Sequence, residues 1–409
     1  MAQAVVPAET HLVESAESKS VAASAADSKL YEKGVEQFRS GQFQEALETL
    51  EQVRQQLAGS SDSVQLAEVL NAIGEVHANL QNNSAALKSL QQALMIYRQQ
   101  SPTSDAERQQ FNIGVSRSLN LIGFVNRNQD KLQEALKFHQ EALQLAESAD
   151  DPASTAESLH NIASVQTSLG QFDQALDLYE QARVLRQQVG DRRDLSRTLN
   201  NLGALYFSMG NPQQALEIYQ QALAMRREIG DQAGVGRLLT NMGLIYRQLQ
   251  ENNQALAHFN QAIGLLERIE DNTTASRVNR FIGQIYEGQE QFESAIAAYQ
   301  KAIEQAKLAE DAEQLGDAWN QMGSVYSEQG EYQKALTAYQ AALEAHQKAG
   351  EKKQIGKTLN SLGEVYVSLG DYSQAVETLQ QAVALLKEAG DEAGEAAARE
   401  TLRTIEEKL

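Results

Sequence analysis

The chain has 409 residues and not one cysteine. Disulfides, thiolate metal sites, iron–sulfur clusters and cysteine nucleophiles are therefore excluded together. Proline occurs 4 times, aromatic residues make up 6%, and there is a single tryptophan, so little in the chain interrupts a helix. Basic residues are also in short supply, 35 Lys and Arg against 55 Asp and Glu, for a formal net charge of −20. Phosphate backbones and anionic bilayers are bound by clustered Lys and Arg, which disfavours nucleic acid and membrane surfaces as partners. No apolar run approaches the roughly eighteen residues of a spanning helix, so no membrane insertion is expected. The opening stretch MAQAVVPAETHLVESAESKS lacks the basic start and apolar core of a secretory signal, and a cytoplasmic location is the expectation.

What is abundant is self-similarity. Segments of the type L-x-N-L-G-x-L-Y place a small residue at Gly34, Gly74, Gly123, Ala163, Gly203, Gly243, Gly283, Gly323 and Gly363, spaced by 40 residues except for a 49-residue step from Gly74 to Gly123. Twelve residues on, each copy has an alanine, from Ala46 and Ala86 through Ala335 and Ala375. Seven residues later stands Val53 in the first copy and alanine in the other eight. Nine copies of one repeat are present, and a fixed period of this length marks a stacked architecture.

The fifth copy shows the local logic. Leu199, Leu202, Gly203 and Tyr206 recur at i, i+3, i+4 and i+7, one stripe of a helix. Gly210 ends it, Pro212 suits the first turn of a second helix, and Ala215, Tyr219 and Ala222 share a face of that helix. Asp231 is placed to cap the next first helix, a contribution of roughly 1 kcal/mol. Gly203 and Ala215 would let the two backbones approach, with Tyr206 and Tyr219 filling the space around the contact. No hairpin can bury its stripe alone, so stacking must supply the core.

Three stretches depart from the period. Residues 1–26 are rich in Ala, Ser and Glu and read as a disordered tail ahead of a nine-repeat array over 27–390. The nine extra residues fall around Arg98 to Phe111, where Pro102 and several turn formers predict a longer loop. At the other end, 391–409 is amphipathic, with Ala398, Leu402, Ile405 and Leu409 on one side, and is expected to cap the array.

These residues resemble the tetratricopeptide repeat, whose signature W-x2-L-G-x2-Y is followed by A-x3-F and A. The eighth copy keeps even the tryptophan, with Trp319, Met322, Gly323, Tyr326, Ala335, Tyr339 and Ala342. The 40-residue period and the missing closing proline are similar to the long-repeat branch that includes kinesin light chains, the Leu-Gly-Asn scaffolds of cell polarity and bacterial multi-repeat signalling proteins. The resemblance implies an all-α, right-handed α-solenoid whose first helices line a concave groove, and a non-enzymatic scaffold that binds a protein or peptide partner. A second implication, from a different class, is a ligand-gated regulator resembling bacterial peptide-pheromone receptors, although no output domain is visible in the sequence.

With the small residue numbered eighth in each repeat, positions 4, 7, 8 and 11 point to the core and positions 2, 5 and 9 to the opposite side. Position 2 reads Ser28, Glu68, Arg117, Glu157, Arg197, Arg237, Arg277, Asp317 and Lys357. Position 5 reads Tyr31, Asn71, Asn120, His160, Asn200, Thr240, Arg280, Asn320 and Asn360. Arg holds a carboxylate with two parallel bonds, and Asn both donates to and accepts from a peptide backbone. The candidate partner-binding residues are therefore Arg117, Asn120, Arg197, Asn200, Arg237, Arg277, Arg280, Asn320, Lys357 and Asn360, and the expected partner is an acidic segment. The Asn column resembles the asparagine ladder of kinesin light chains. The alternative is that Asn solvates helix surfaces while Arg pairs with carboxylates of neighbouring helices.

Signals for chemistry are poor. His77, His139, His160, His258 and His346 stand in separate repeats without a metal-ligand spacing, and His139 occupies an aromatic core position. Every candidate phosphate loop or nucleophile elbow dissolves into the repeat's own glycines. The lysine clamp that other tetratricopeptide proteins use for chaperone tails is absent, since the first copy has Tyr31 and Val35 at the clamp positions. No cofactor, metal or catalytic residue is expected.

Overall fold

The computed structural model describes residues 25–58 and 63–406, all helix and connecting turn, with no strand among the described residues. The expected tail lies outside the described residues except for Ala25 and Ala26, which open the first helix. The chain divides into two compact units after Met225. Unit one holds the hairpins α1 (Ala25–Arg39) with α2 (Phe43–Leu57), α3 (Ser63–Asn79) with α4 (Asn83–Gln99), and α5 (Asp105–Asn128) with α6 (Leu132–Ser148). It continues with α7 (Pro152–Ser168) and α8 (Phe172–Val189), then α9 (Arg192–Ser208) and most of α10 (Pro212–Glu228). Unit two holds α11 (Gln232–Gln248) with α12 (Asn252–Leu266), α13 (Asn272–Gly288) with α14 (Phe292–Leu308), and α15 (Ala312–Glu328) with α16 (Tyr332–Ala349). It ends with α17 (Lys352–Leu369), α18 (Tyr372–Glu388) and α19 (Glu392–Glu406). Within each unit a second helix packs on its own first helix and on the next one, and successive first helices touch along their length.

Boundaries follow from capping. Asp151, Asp191, Asp231, Asp271 and Asp311 recur every 40 residues, and each carboxylate accepts from the backbone amide three residues on. For Asp231 that bond, to the Gly234 amide, is 2.8 Å long. Pro212 opens α10 as its fixed φ predicts. Gly170, Gly210, Gly330 and Gly370 close first helices at positive φ, where only glycine avoids a Cβ clash.

The core has two layers of complementary volumes. A Cβ added to Gly203 would sit 2.8 Å from the Tyr219 ring, and one on Gly243 would sit 2.5 Å from the Phe259 ring. The position-8 glycine thus exists because an aromatic or leucine side chain of the second helix lies flat upon it. Tyr219 is fully buried, whereas Tyr206 remains only half-buried, so the two tyrosines do not share the filling role equally. At the helix start, Gly236, Gly316 and Gly356 lie beneath Leu266, His346 and Leu386, each where a Cβ would collide. Ser116 and Ser276 stand at the equivalent place in the hairpins that carry Ala146 and Ala306, and their hydroxyls donate to the Ala142 and Ala302 carbonyls at 2.8 Å.

The 49-residue step is not a longer loop. Only residues 100–104 leave the helix, and α5 runs 24 residues where α3 and α7 have 17. The reason is local: Ser104 and Glu107 form a reciprocal capping box, which starts α5 about two turns early. At the C-terminus α19 packs on α17 and α18 through fully buried Ala398 and Ile405, with Leu402 half-buried beside them. Leu409 of the expected stripe lies outside the described residues.

Candidate functional site

The first helices carry the polar columns, and the structure shows what those columns do. Position 5 of one first helix is hydrogen-bonded to position 3 of the next. Ser118 Oγ donates to Asn71 Oδ1 at 2.9 Å, and Asn120 Nδ2 donates to Ser158 Oγ at 2.8 Å. His160 Nδ1 lies 3.3 Å from Thr198 Oγ1, and Thr358 Oγ1 donates to Asn320 Oδ1 at 3.3 Å. Three consecutive steps of unit one are joined this way, and one step of unit two. Asn71 is fully buried and Asn120 is 5% exposed, which places Asn120 inside the wall instead of on its surface. Its Oδ1 also faces His139 Nδ1 at 2.9 Å, while Ser158 Oγ passes its own proton to the Ser154 carbonyl. Polarity along this chain requires His139 to donate from Nδ1.

Sequence reading by single columns missed this pairing. Its signal was available: Ser118, Ser158, Thr198 and Thr358 occupy position 3 in the repeats that follow Asn71, Asn120, His160 and Asn320. Where position 3 is apolar, as at Val69, Val278 and Ala318, the preceding position 5 is Tyr31, Thr240 or Arg280.

The arginine candidates separate into two groups. Arg197 is 3% exposed and is bound to Glu157, with Asp194 Oδ1 3.3 Å from its Nε. Glu157 also receives Arg186 Nη2 at 2.6 Å and Asn161 Nδ2 at 3.1 Å. Arg186, from α8, bonds the Asp194 carbonyl at 2.8 Å as well as Thr198. The network is thus one carboxylate clamped by two buried guanidiniums across three helices, and it holds α7 to α9. Arg280 is likewise engaged, with Nη1 2.7 Å from Asp317 Oδ2 and 2.8 Å from Gln314 Oε1. Arg197 and Arg280 are therefore committed to carboxylates of neighbouring first helices, the alternative that the columns left open.

The second group is more accessible. Arg117, Arg237 and Arg277 are half-buried, and Lys357 is exposed. Arg117 is hydrogen-bonded to the Tyr31 phenol and lies in the field of Glu75 and Glu68. Burial pulls the Arg277 pKa down, opposed by Asp271, Asp311 and Glu313, and its Nε has no hydrogen-bond partner among the described residues. Lys357 Nζ is 3.8 Å from Asp391, which already caps α19. Asn200 donates to its neighbour Asn201 at 3.2 Å, and Asn360 donates to Glu364 at 2.8 Å. The expected adjacency of Arg and Asn one turn apart is thus not what uses these amides in Asn120 and Asn360.

Burial dominates the titratable groups of unit one. Glu75, 1% exposed on α3, has no hydrogen-bond partner for either carboxylate oxygen, and burial pushes its pKa well up, with Arg117 opposing. The same desolvation pushes His139 down to about 3 and His160 well below the usual imidazole range, so both are neutral at pH 7. Neutral imidazoles within a hydrogen-bonded wall are structural elements. Among the described residues no three His, Asp or Glu side chains are grouped to hold a metal ion. No helix among them is long and apolar enough to cross a membrane.

Comparison with known proteins agrees with this architecture. The family model described as the tetratricopeptide repeat matches residues 30–99, 114–188, 154–228, 234–307 and 314–388. No curated protein matches the chain's sequence. Among solved structures, the apo form of the quorum sensor NprR from B. thuringiensis is 16% identical, with a TM-score of 0.57 over 88% of this chain and 98% of that one. A Rap protein complexed with Competence and Sporulation Factor is 15% identical, with a TM-score of 0.53 over 90% of this chain and 99% of that chain. Aspartyl phosphate phosphatase F from Bacillus subtilis is also 15% identical, with a TM-score of 0.53 over 90% and 95% of the two chains. At these identities the likeness is one of fold.

Proposed function

The chain belongs to the tetratricopeptide repeat family, and from that premise we propose that it is a non-enzymatic cytoplasmic scaffold holding an acidic partner segment against the first helices of unit two. The observation that carries this reading is Arg277, a half-buried guanidinium whose Nε has no hydrogen-bond partner among the described residues. A guanidinium already stripped of much of its water gains more from an incoming carboxylate than one that is freely solvated. Arg237 and Lys357 stand in the same column. Unit one supports the reading less, because its Arg197 and Asn120 are consumed internally. Affinity capture from the native cell with wild type and the Arg277→Glu, Lys357→Glu double variant tests it. A partner should be retained by wild type and lost by the variant, with the helical circular dichroism unchanged. Identical captured sets would remove the acidic-segment reading.

A second reading, a peptide-gated regulator, is favoured by the fold likeness to a quorum sensor and to a Rap protein complexed with Competence and Sporulation Factor. Small-angle scattering with and without a captured peptide separates the two. A switch changes the radius of gyration, and a passive scaffold leaves it unaltered.

A further inference from the structure

A different place in unit two carries a site that the scaffold reading does not use. The end of α10, the start of α11 and the middle of α12 surround a cavity of about 500 Å³. Its floor is Val235 and Leu239, and its walls carry three arginines, Arg226, Arg227 and Arg268.

The cavity exists because a side chain is missing. Gly264 stands in the interior of α12, at a place where every other repeat carries a side chain, among them Met95, Val184, Glu304, Glu344 and Ala384. A Cβ built there meets nothing within 4 Å, so no neighbour requires a glycine. This sets it apart from Gly236 and Gly243, which lie beneath Leu266 and Phe259. A mid-helix glycine costs roughly 1 kcal/mol relative to alanine, and α12 does stop at Leu266, after 15 residues against 17 for α14 and α18. The chain carries a locally unfavourable residue whose visible effect is to leave space open.

The charges around that space are unbalanced. Arg226 is 2% exposed and ion-paired with Asp231, whose carboxylate also caps α11, so that acid is fully occupied. Arg227 and Arg268 are exposed and have no salt bridge among the described residues. Arg268 donates Nε to the Gly264 carbonyl at 2.9 Å, which holds the guanidinium at the rim and leaves its two terminal nitrogens for another acceptor. Three arginines against one aspartate make a local surplus of two positive charges in a protein of net charge −20.

We propose that this cavity binds a small phosphate monoester, its phosphate between Arg227 and Arg268 and a short apolar body on Val235 and Leu239. A phosphate monoester carries about −1.5 to −2 at neutral pH, which matches the surplus, whereas a single carboxylate leaves one cation uncompensated. The volume lies within the range of small-ligand sites.

The test is isothermal titration of the full chain with phenyl phosphate, inorganic phosphate and benzoate. Phenyl phosphate should bind tightest, inorganic phosphate more weakly for want of the apolar contact, and benzoate weakest. The Arg227→Gln, Arg268→Gln pair should weaken phenyl phosphate by about tenfold or more, the scale of one lost charge-assisted contact. Gly264→Leu should abolish binding while holding or raising the thermal midpoint, because it fills the cavity and restores helix propensity. Undiminished binding in Gly264→Leu overturns the proposal, as does benzoate equal to phenyl phosphate or no detectable binding of phenyl phosphate. None of these outcomes depends on Arg277 or on partner capture, so this site and the scaffold role stand or fall separately.

Discussion

Replacing Arg197 by glutamate would set a third carboxylate beside Glu157 and Asp194, in a region where the Arg197 and Glu157 side chains are 4% and 6% exposed. Had Arg197 faced an open trough, this variant would lose a partner and keep its fold. The buried geometry demands the reverse ordering. Removing one member of a buried ion pair costs about 3 to 5 kcal/mol, because the remaining charge can neither be paired nor hydrated. The neutral Arg197→Met variant is milder, since Glu157 keeps Arg186 at 2.6 Å and Asn161 at 3.1 Å, and should cost about 1 to 3 kcal/mol. A repeat array need not unfold in one step, so a single melting midpoint would blur the effect. Amide hydrogen exchange across α7, α8 and α9 reads it locally, with protection falling there first and α1 to α3 changing least. The effect should survive 0.5 M salt, because buried pairs are poorly screened. Were Arg197→Glu to lie within about 0.5 kcal/mol of wild type, as ordinary surface changes do, the clamp across α7 to α9 would be wrong.

Ser158→Ala should leave the buried Asn120 amide without its acceptor and cost about 1 to 3 kcal/mol in urea unfolding. The Asn120→Leu, Ser158→Ala double variant should recover part of that loss. Gly316→Ala would drive a Cβ into the His346 ring and is expected to lower stability by about 1 to 3 kcal/mol. His139 is held down to about 3 in the fold and titrates near 6.5 when unfolded. Between those values the unfolded chain binds the extra proton, so its contribution is intact above about pH 6.5 and is lost as pH falls, by roughly 3 to 5 kcal/mol in full. His139→Phe, imitating Phe259 beneath Gly243, should flatten that acid limb without abolishing it, because His160 is displaced the same way. Urea midpoints at pH 7 and pH 4.5 decide this.

The hairpins, their caps and the packing of position 8 were legible because each depends on residues a few positions apart or on a strict period. Asp231 on Gly234, and Gly203 beneath Tyr219, are contacts within one helix end or one hairpin. The misreading of residues 98–111 came from weighing Pro102 above Ser104 and Glu107, although a capping box outweighs a proline that precedes it. The inner columns failed for another reason. Asn120 and Arg197 look like free recognition groups when each column is read alone, but their partners Ser158 and Glu157 sit 38 and 40 residues away on the adjoining helix. Arg186 gave no warning either, since the same place holds Leu57, Ala146 and Leu266 in other repeats. Helix geometry orients a side chain, but only the neighbour's chemistry tells whether that side chain is already satisfied.

The polar stitching of successive first helices has a consequence for how such a chain can change length. A hairpin bearing Ser158 and His160 presents a hydroxyl to its predecessor and an imidazole to its successor, so it fits only between two particular neighbours. Excising or transplanting it alone would strand groups at both edges, and unequal crossing-over inside this stretch would be purged. Growth or shrinkage is tolerated at the greasy steps, such as Thr240 to Val278, and the stitched block Asn71 to Thr198 must be copied or lost as a whole.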